Sequence, residues 1–187
     1  MEQALSAGVR FFQYRDKKRT RRDIYATVKD LTQAARQAKA LFLVNDHADI
    51  AAAVDADGVH LGQDDLPISA ARKLLGKNKC IGISTHSPDE ARSAEAEGAD
   101  YIGFGPLFPT STKDAGRVQG IRNLAVIRSM VTVPVIAIGG ISLANIREVL
   151  SNGADGAAVI SALLTAPDLK IEAERMLRAI SGPGRTT

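Results

Sequence analysis

The sequence has little of what several whole classes of protein depend on. One cysteine, Cys80, excludes an intrachain disulfide and any cysteine-built metal cluster. Tryptophan is absent and aromatic residues make up 4%, which leaves few platforms for stacking unpaired bases. No apolar run approaches the roughly 18 residues that a membrane span needs. The opening Met1-Glu2-Gln3-Ala4 has neither the basic nor the apolar region of a secretory signal. The expectation is therefore a cytoplasmic protein with no membrane partner. What is present is ordinary for a globular domain: 187 residues, 45% apolar and 24% charged, enough for one domain with a real core.

A formal charge of +3 hides a local asymmetry. Arg15, Lys17, Lys18, Arg19, Arg21 and Arg22 stand against one acid, Asp16, in a single short segment, and outside it acids slightly outnumber bases. Such a block can meet nucleic acid. With so few aromatics, a solvated loop is the better reading for 18–22, and no nucleic-acid partner is expected.

Short runs rich in β-branched and aromatic residues recur at 9–12, 41–44, 58–61, 81–83, 101–104, 133–138 and 157–160. Alanine-rich stretches with helical spacing lie between them, at 23–39, 67–75, 88–97, 121–130 and 143–151. That alternation predicts βαβ units and a parallel sheet covered by helices. Ser87-Pro88-Asp89-Glu90 reads as a helix start, with a cap, a proline at the first position and acids in the first turn. Gly98-Ala99-Asp100 and Gly153-Ala154-Asp155 read as two equivalent helix ends handing over to strands.

A doubly wound sheet and a (β/α)8 barrel both fit the alternation. No Gly-x-Gly-x-x-Gly follows a predicted strand, and nearly every strand ends in polar residues or glycine, as at a barrel's catalytic face. Seven strands are counted, and the chain opens on what reads as the end of a helix, capped at Gly8. The expectation is an α/β TIM barrel lacking its first strand and most of its first helix. It would form a single domain over 1–180, with a flexible tail over 181–187.

Gln13, Arg15 and Lys17 are spaced to share one face of an extended chain. On the inner face of a barrel mouth, Arg15 and Lys17 would need an anionic partner, with phosphate or diphosphate the natural one; past the strand's end, both would lie in water. Asn45-Asp46 and Gln63-x-Asp65 end neighbouring strands. With only three histidines in the chain, these two carboxylates suggest an oxygen-ligand Mg²⁺ site, although each aspartate also suits a helix cap. The run from Phe108 to Lys113, including Thr110 and Thr112, lacks the P-loop spacing; it offers donors to a phosphorylated ligand or forms a polar turn. Gly139-Gly140 and Ile160-Ser161 end the last two strands, where barrel loops often hold phosphate through backbone N–H groups. His60 and His86 read as hydrogen-bonded packing residues, and Cys80 as inert core.

Taken in order, these motifs resemble thiamine-phosphate synthase. They are Gln13-Tyr14-Arg15-Asp16-Lys17, Asn45-Asp46-His47-Ala48-Asp49, Gly58-Val59-His60-Leu61-Gly62-Gln63-Asp64-Asp65 and Ile83-Ser84-Thr85-His86. Gly103-Phe104-Gly105-Pro106 running on to Lys113, Ala137-Ile138-Gly139-Gly140 and Ala158-Val159-Ile160-Ser161 complete the set. The resemblance implies a barrel enzyme that joins a hydroxymethylpyrimidine diphosphate to a thiazole phosphate, releasing diphosphate. By motif, it places Gln13, Arg15, Lys17, Asn45, Ser84 and Lys113 on the pyrimidine diphosphate, Asp46 and Asp65 on Mg²⁺, and Thr110, Thr112, Gly140, Ile160 and Ser161 on the thiazole phosphate. Arg15, Lys17 and Lys113 would stabilise the leaving group. The substrates are small molecules, and a homo-oligomer is left open. The rivals are the thiazole tautomerase that resembles this family, another phosphate-binding barrel, and a nucleic-acid binder using 15–22. A tautomerase has no diphosphate to expel, so the carboxylate and lysine motifs argue against it.

Overall fold

The computed structural model describes residues 1–110 and 117–181. Among the described residues seven strands form one parallel sheet: β1 (Phe11–Tyr14), β2 (Leu41–Asn45), β3 (Gly58–Leu61), β4 (Cys80–Thr85), β5 (Tyr101–Phe104), β6 (Val135–Ile138) and β7 (Gly156–Ala158). The helices are α1 (Glu2–Ser6), α2 (Arg21–Gln37), α3 (Ala48–Ala53), α4 (Ile68–Leu75), α5 (Pro88–Ala96), α6 (Gly120–Met130), α7 (Ile146–Ser151), α8 (Ser161–Leu164) and α9 (Leu169–Ser181).

Spatial order equals chain order, β1 through β7. A doubly wound sheet must reverse direction at a switch point. A chain that always steps the same way, through crossovers of one hand, curls toward a barrel instead. The curl brings the Phe11 ring of β1 edge-on to Tyr101 of β5, with centroids 5.7 Å apart. Outside the sheet, α1 packs on α9. The buried positions of α2 (Ile24, Val28, Thr32, Ala35) make one stripe at helical spacing against the sheet. β3 and β5 are buried along their whole length.

The end of the sheet away from the polar strand tips is tied by three aspartates. The carboxylates of Asp57, Asp100 and Asp155 accept the backbone N–H of Phe42, Ile81 and Val135 at 2.8, 2.7 and 2.8 Å. Each aspartate N–H donates back to the carbonyl of the same residue. Arg72 grips Asp100 at 2.6 Å and Arg128 grips Asp155 at 2.9 Å. These clamps fasten β2 to the chain entering β3, β4 to that entering β5, and β6 to that entering β7. Two of them use the aspartates read from sequence only as helix ends. Asp155→Ala leaves the Val135 N–H without its acceptor and takes the carboxylate from Arg128, which keeps the Val131 and Val133 carbonyls. The expected loss is about 2 kcal/mol, or roughly 4–8 °C in melting temperature. Turnover should be unchanged, because the clamp lies at the far end from the polar strand tips; melting curves beside a rate measurement check both.

Two boundaries differ from expectation. The first strand, predicted over 9–12, lies at Phe11–Tyr14. Gly8 turns the chain with φ +105°, and the Arg10 guanidinium donates to the carbonyls of Leu5 and Val9, so residues 9 and 10 belong to the turn from α1. The tail was expected to begin at 181, but Ser181 ends α9 and its hydroxyl donates to the Leu177 carbonyl at 3.0 Å. Residues 182–187 lie outside the described residues.

Candidate active site

All seven strands are parallel, so their C-terminal tips share one edge of the sheet. At the β1 tip, residues 13, 15 and 17 take the exposed positions of an alternation in which Tyr14 and Asp16 are half-buried. The alternation outlasts the strand, whose last residue is Tyr14. Beyond it, the Asp16 carboxylate accepts the N–H groups of Lys18 (2.8 Å) and Arg19 (3.0 Å), which hold it below the usual carboxylate range. Lys17 thereby reaches the β2 tip, its Nζ 3.2 Å from Asp46 Oδ2. Gln13 Nε2 donates to Asn45 Oδ1 at 2.5 Å, and Asn45 Nδ2 donates to Asp46 Oδ1. Arg15 lies between Gln13 and Lys17 on the same face.

Asp46 has left-handed backbone, φ +66°, a conformation that aspartate tolerates better than most residues with a side chain. It does not cap the following helix. α3 begins after His47, and no side-chain cap bond is made there. Nor does Asp65 cap α4, whose N-cap is Pro67. Instead Asp65 Oδ2 accepts the Gly62 N–H at 2.6 Å, with its carboxyl beside that of Asp46. Burial first, then the hydrogen bond and charge of Asp46, push the Asp65 carboxyl above its ordinary range, offset in part by the Gly62 N–H and less by Lys17. Two crowded carboxylates are an arrangement that a divalent cation relieves. Among the described residues no group of three or more His, Cys, Asp or Glu could hold a metal. A pair of carboxylates suits Mg²⁺, which keeps several waters and takes the rest of its coordination from substrate phosphates. The donor set fits that ion.

The β3 and β4 tips continue the same hydrogen-bonded wall. Gln63 Nε2 donates to the Ser84 carbonyl at 2.7 Å. Ser84 Oγ lies 2.8 Å from His60 Nε2, and His60 Nδ1 lies 2.7 Å from the Tyr101 hydroxyl. His60 is thus a hydrogen-bonded packing residue, as expected, but its partner is a proposed ligand-binding serine. Tyr101 and this use of Gln63 escaped the sequence reading. The available signal was glycine inside two strands, Gly82 and Gly103, which marks close approach by another group. His86 Nδ1 lies 2.6 Å from the Gly105 carbonyl. Cys80, expected in the core, is half-buried at the start of β4; its thiol is pushed up to about 11 by burial, which keeps it unreactive.

On the far side, the chain after β5 is laid along the end of β6. Leu107 N–H donates to the Ile138 carbonyl at 2.9 Å, and Phe108 N–H to that of Gly139 at 3.1 Å. Gly140 has φ +66°, and a Cβ there would lie 2.7 Å from the Pro109 carbonyl oxygen, so only glycine lets this segment approach. Asn145 Nδ2 donates to the Gly140 carbonyl at 3.0 Å. Thr110 closes the described part of the segment, while Thr112 and Lys113 lie outside the described residues. Ile160 is the N-cap of α8, and Ser161 is its first residue. The structure therefore gathers Gln13, Lys17, Asn45, Asp46, Asp65 and Ser84 into one connected wall, with Gly140, Ile160 and Ser161 at the tips of β6 and β7.

Much of the basic segment is engaged locally. Lys17 pairs with Asp46, Arg19 donates to Thr27 Oγ1 at 3.0 Å, and Arg21 pairs with Asp49. No described helix is long and apolar enough to cross a membrane.

Comparison with known proteins agrees with this geometry. The family model described as thiamine monophosphate synthase matches residues 1–163. The thiamine-phosphate synthase of Methanospirillum hungatei is 50% identical over 169 residues, covering 90% of this chain and 82% of that protein. The solved thiamine phosphate pyrophosphorylase from Pyrococcus furiosus superposes with a TM-score of 0.89 at 45% identity, covering 96% of this chain and 86% of that one. The 3-hexulose-6-phosphate synthase of Salmonella typhimurium, at 19% identity and a TM-score of 0.75, shares the fold alone. With a TIM-barrel-type fold, an acidic and basic wall at its strand tips and relatives at this identity over nearly its whole length, the chain belongs to the thiamine-phosphate synthase family.

Proposed function

We propose that this chain condenses 4-amino-2-methyl-5-hydroxymethylpyrimidine diphosphate with 4-methyl-5-(2-phosphoethyl)thiazole, giving thiamine phosphate and diphosphate. The observation that carries the reading is the Lys17–Asp46 pair beside Asp65, 3.2 Å between Nζ and Oδ2. It is a charged cup built from three adjacent strand tips, suited to a metal-bound diphosphate rather than to a neutral ring.

The reaction breaks the bond between the pyrimidine methylene and the diphosphate oxygen, and the electron pair leaves with diphosphate. The thiazole nitrogen lone pair forms the new C–N bond, so no protein nucleophile and no proton transfer are required. Held by Asp46 and Asp65, Mg²⁺ would supply positive charge against the departing diphosphate. Arg15, Lys17 and Lys113 stabilise the same developing charge, while Gln13, Asn45 and Ser84 orient the pyrimidine diphosphate. Thr110, Thr112, Gly140, Ile160 and Ser161 hold the thiazole phosphate, so its nitrogen waits within reach of the methylene.

The test mixes both substrates with the protein and Mg²⁺ and measures thiamine phosphate by mass spectrometry, with a chelated control. Product that depends on the cation is the expected result. Absence of product from folded protein at saturating substrates overturns the reading.

A further inference from the structure

The Tyr101–His60–Ser84 chain runs through the interior of the barrel, and nothing in the chemistry above uses its two inner members. Tyr101 is 7% exposed and His60 6%. Space for both is cleared by glycine. A Cβ on Gly82 would overlap the Tyr101 ring, and one on Gly103 would lie 3.1 Å from His60 Cε1. The ladder makes these clearances systematic: Gly82 pairs with His60 on one side and Tyr101 on the other, and Gly103 pairs with Ser84. Two strand-interior glycines thus cost the sheet packing and β-propensity, and in return an imidazole and a phenol sit beneath Ser84.

A neutral imidazole has one N–H, and the hydrogen bond at one ring nitrogen decides which nitrogen carries it. Burial holds the Tyr101 phenol well above its ordinary range, so the phenol keeps its proton. A buried O–H must donate to some acceptor, and His60 Nδ1 lies at 2.7 Å. With Nδ1 accepting, the proton is on Nε2, which donates to Ser84 Oγ at 2.8 Å. The serine oxygen then accepts from the protein, and its own O–H is turned out as a donor.

We propose that Tyr101 and His60 are positioning residues that lock the imidazole in its Nε2–H form and present the Ser84 hydroxyl to the ligand as a hydrogen-bond donor. The opposite tautomer would present an oxygen acceptor, which an anionic diphosphate repels. The chain therefore selects for a ligand bearing an acceptor at this point, a phosphate oxygen or an aromatic ring nitrogen. It rests on the proposed function only in placing Ser84 against the pyrimidine diphosphate.

Two measurements test it. Long-range ¹H–¹⁵N spectra of the wild-type protein labelled at histidine nitrogens, with His60 assigned by its loss in His60→Gln, report the tautomer without substrate. Nε2 protonated and Nδ1 bare is the expected result; Nδ1 protonated, both protonated, or an averaged pattern overturns the proposal. In kinetics, Tyr101→Phe keeps the ring against Phe11 but loses the hydroxyl. Its kcat/KM for the pyrimidine diphosphate should fall about tenfold, the size of one hydrogen bond, with KM for the thiazole phosphate unchanged. In a Ser84→Ala background the same substitution should change kcat/KM by less than about twofold, because the group it positions is gone. Equal losses in both backgrounds mean that Tyr101 acts only through packing, and sink the proposal. If Tyr101→Phe fails to fold, the wild-type tautomer decides. If wild-type protein makes no thiamine phosphate, the proposed function fails while the tautomer still tests this network.

Discussion

Asp46→Ala should lower turnover by about 10³-fold while leaving a folded protein. Asp46 is the hinge of the charged wall, pairing with Lys17 through one oxygen and accepting from Asn45 through the other. Its removal takes away half of the proposed Mg²⁺ ligand set. It also frees Lys17 to swing from its place and unfastens the Asn45 amide from that side. The fold has less to lose, because Asp46 caps no helix and its charge crowds Asp65. Alanine tolerates the left-handed backbone at this position less well than aspartate, so a stability loss of about 1 kcal/mol is expected. Asp46→Asn keeps that tolerance and separates charge from conformation. Steady-state rates at saturating Mg²⁺, beside thermal melts, measure both effects; turnover of Asp46→Ala within tenfold of wild type would remove the metal assignment.

The neighbouring carboxylate gives the complementary result. Asp65 is raised by burial and by Asp46, so folding favours its protonated form. In metal-free buffer its contribution to stability is present below the ordinary aspartate range and is lost as pH rises through the raised value. At neutral pH the wild-type protein therefore carries a charge that its fold disfavours. Asp65→Asn should melt higher than wild type without Mg²⁺ and turn over far more slowly with it, which is strain accepted for function. A lower melting temperature in metal-free buffer contradicts this account.

The largest loss of stability is expected from Gly58→Ala. Gly58 opens β3 opposite Cys80 in the ladder, and a methyl group there would overlap the Cys80 carbonyl oxygen. The nearest atoms are all Cys80 backbone, with no side chain to rotate away, so β3 must move off β4. The cost is about 3 kcal/mol or more, a drop of roughly 6–12 °C in melting temperature. The shift would spread along β3 to His60 and the Gly62–Asp65 turn, so turnover should fall as well. A melting temperature within about 2 °C of wild type would show that the strands can part without penalty.

Much of this was legible along the chain. β2, β3 and β5 lie within a residue of expectation, because each is a short apolar run bounded by Asp, Asn or Gly. The spacing of Gln13, Arg15 and Lys17 identified the face that reaches Asn45 and Asp46. Ser87 caps α5, accepting the Glu90 N–H as read from the motif. The first strand was misplaced because Val9 looks like strand while the turn at Gly8 claims it. The aspartate clamps were read as mere helix ends, since Asp100 and the Ile81 N–H it accepts are nineteen positions apart.

By itself the amino-acid order determined an alternating parallel βα chain, polar groups at its strand tips and membership of one family. These depend on spacing and on preferences that act over a few neighbouring residues. Only the curled sheet decided that the carboxylates of Asp46 and Asp65 would crowd each other, and that Tyr101 would meet His60, 41 positions away in the chain, and through it Ser84. Proton positions and carboxylate charge follow burial and close neighbours, and those neighbours exist only once distant strands lie in register.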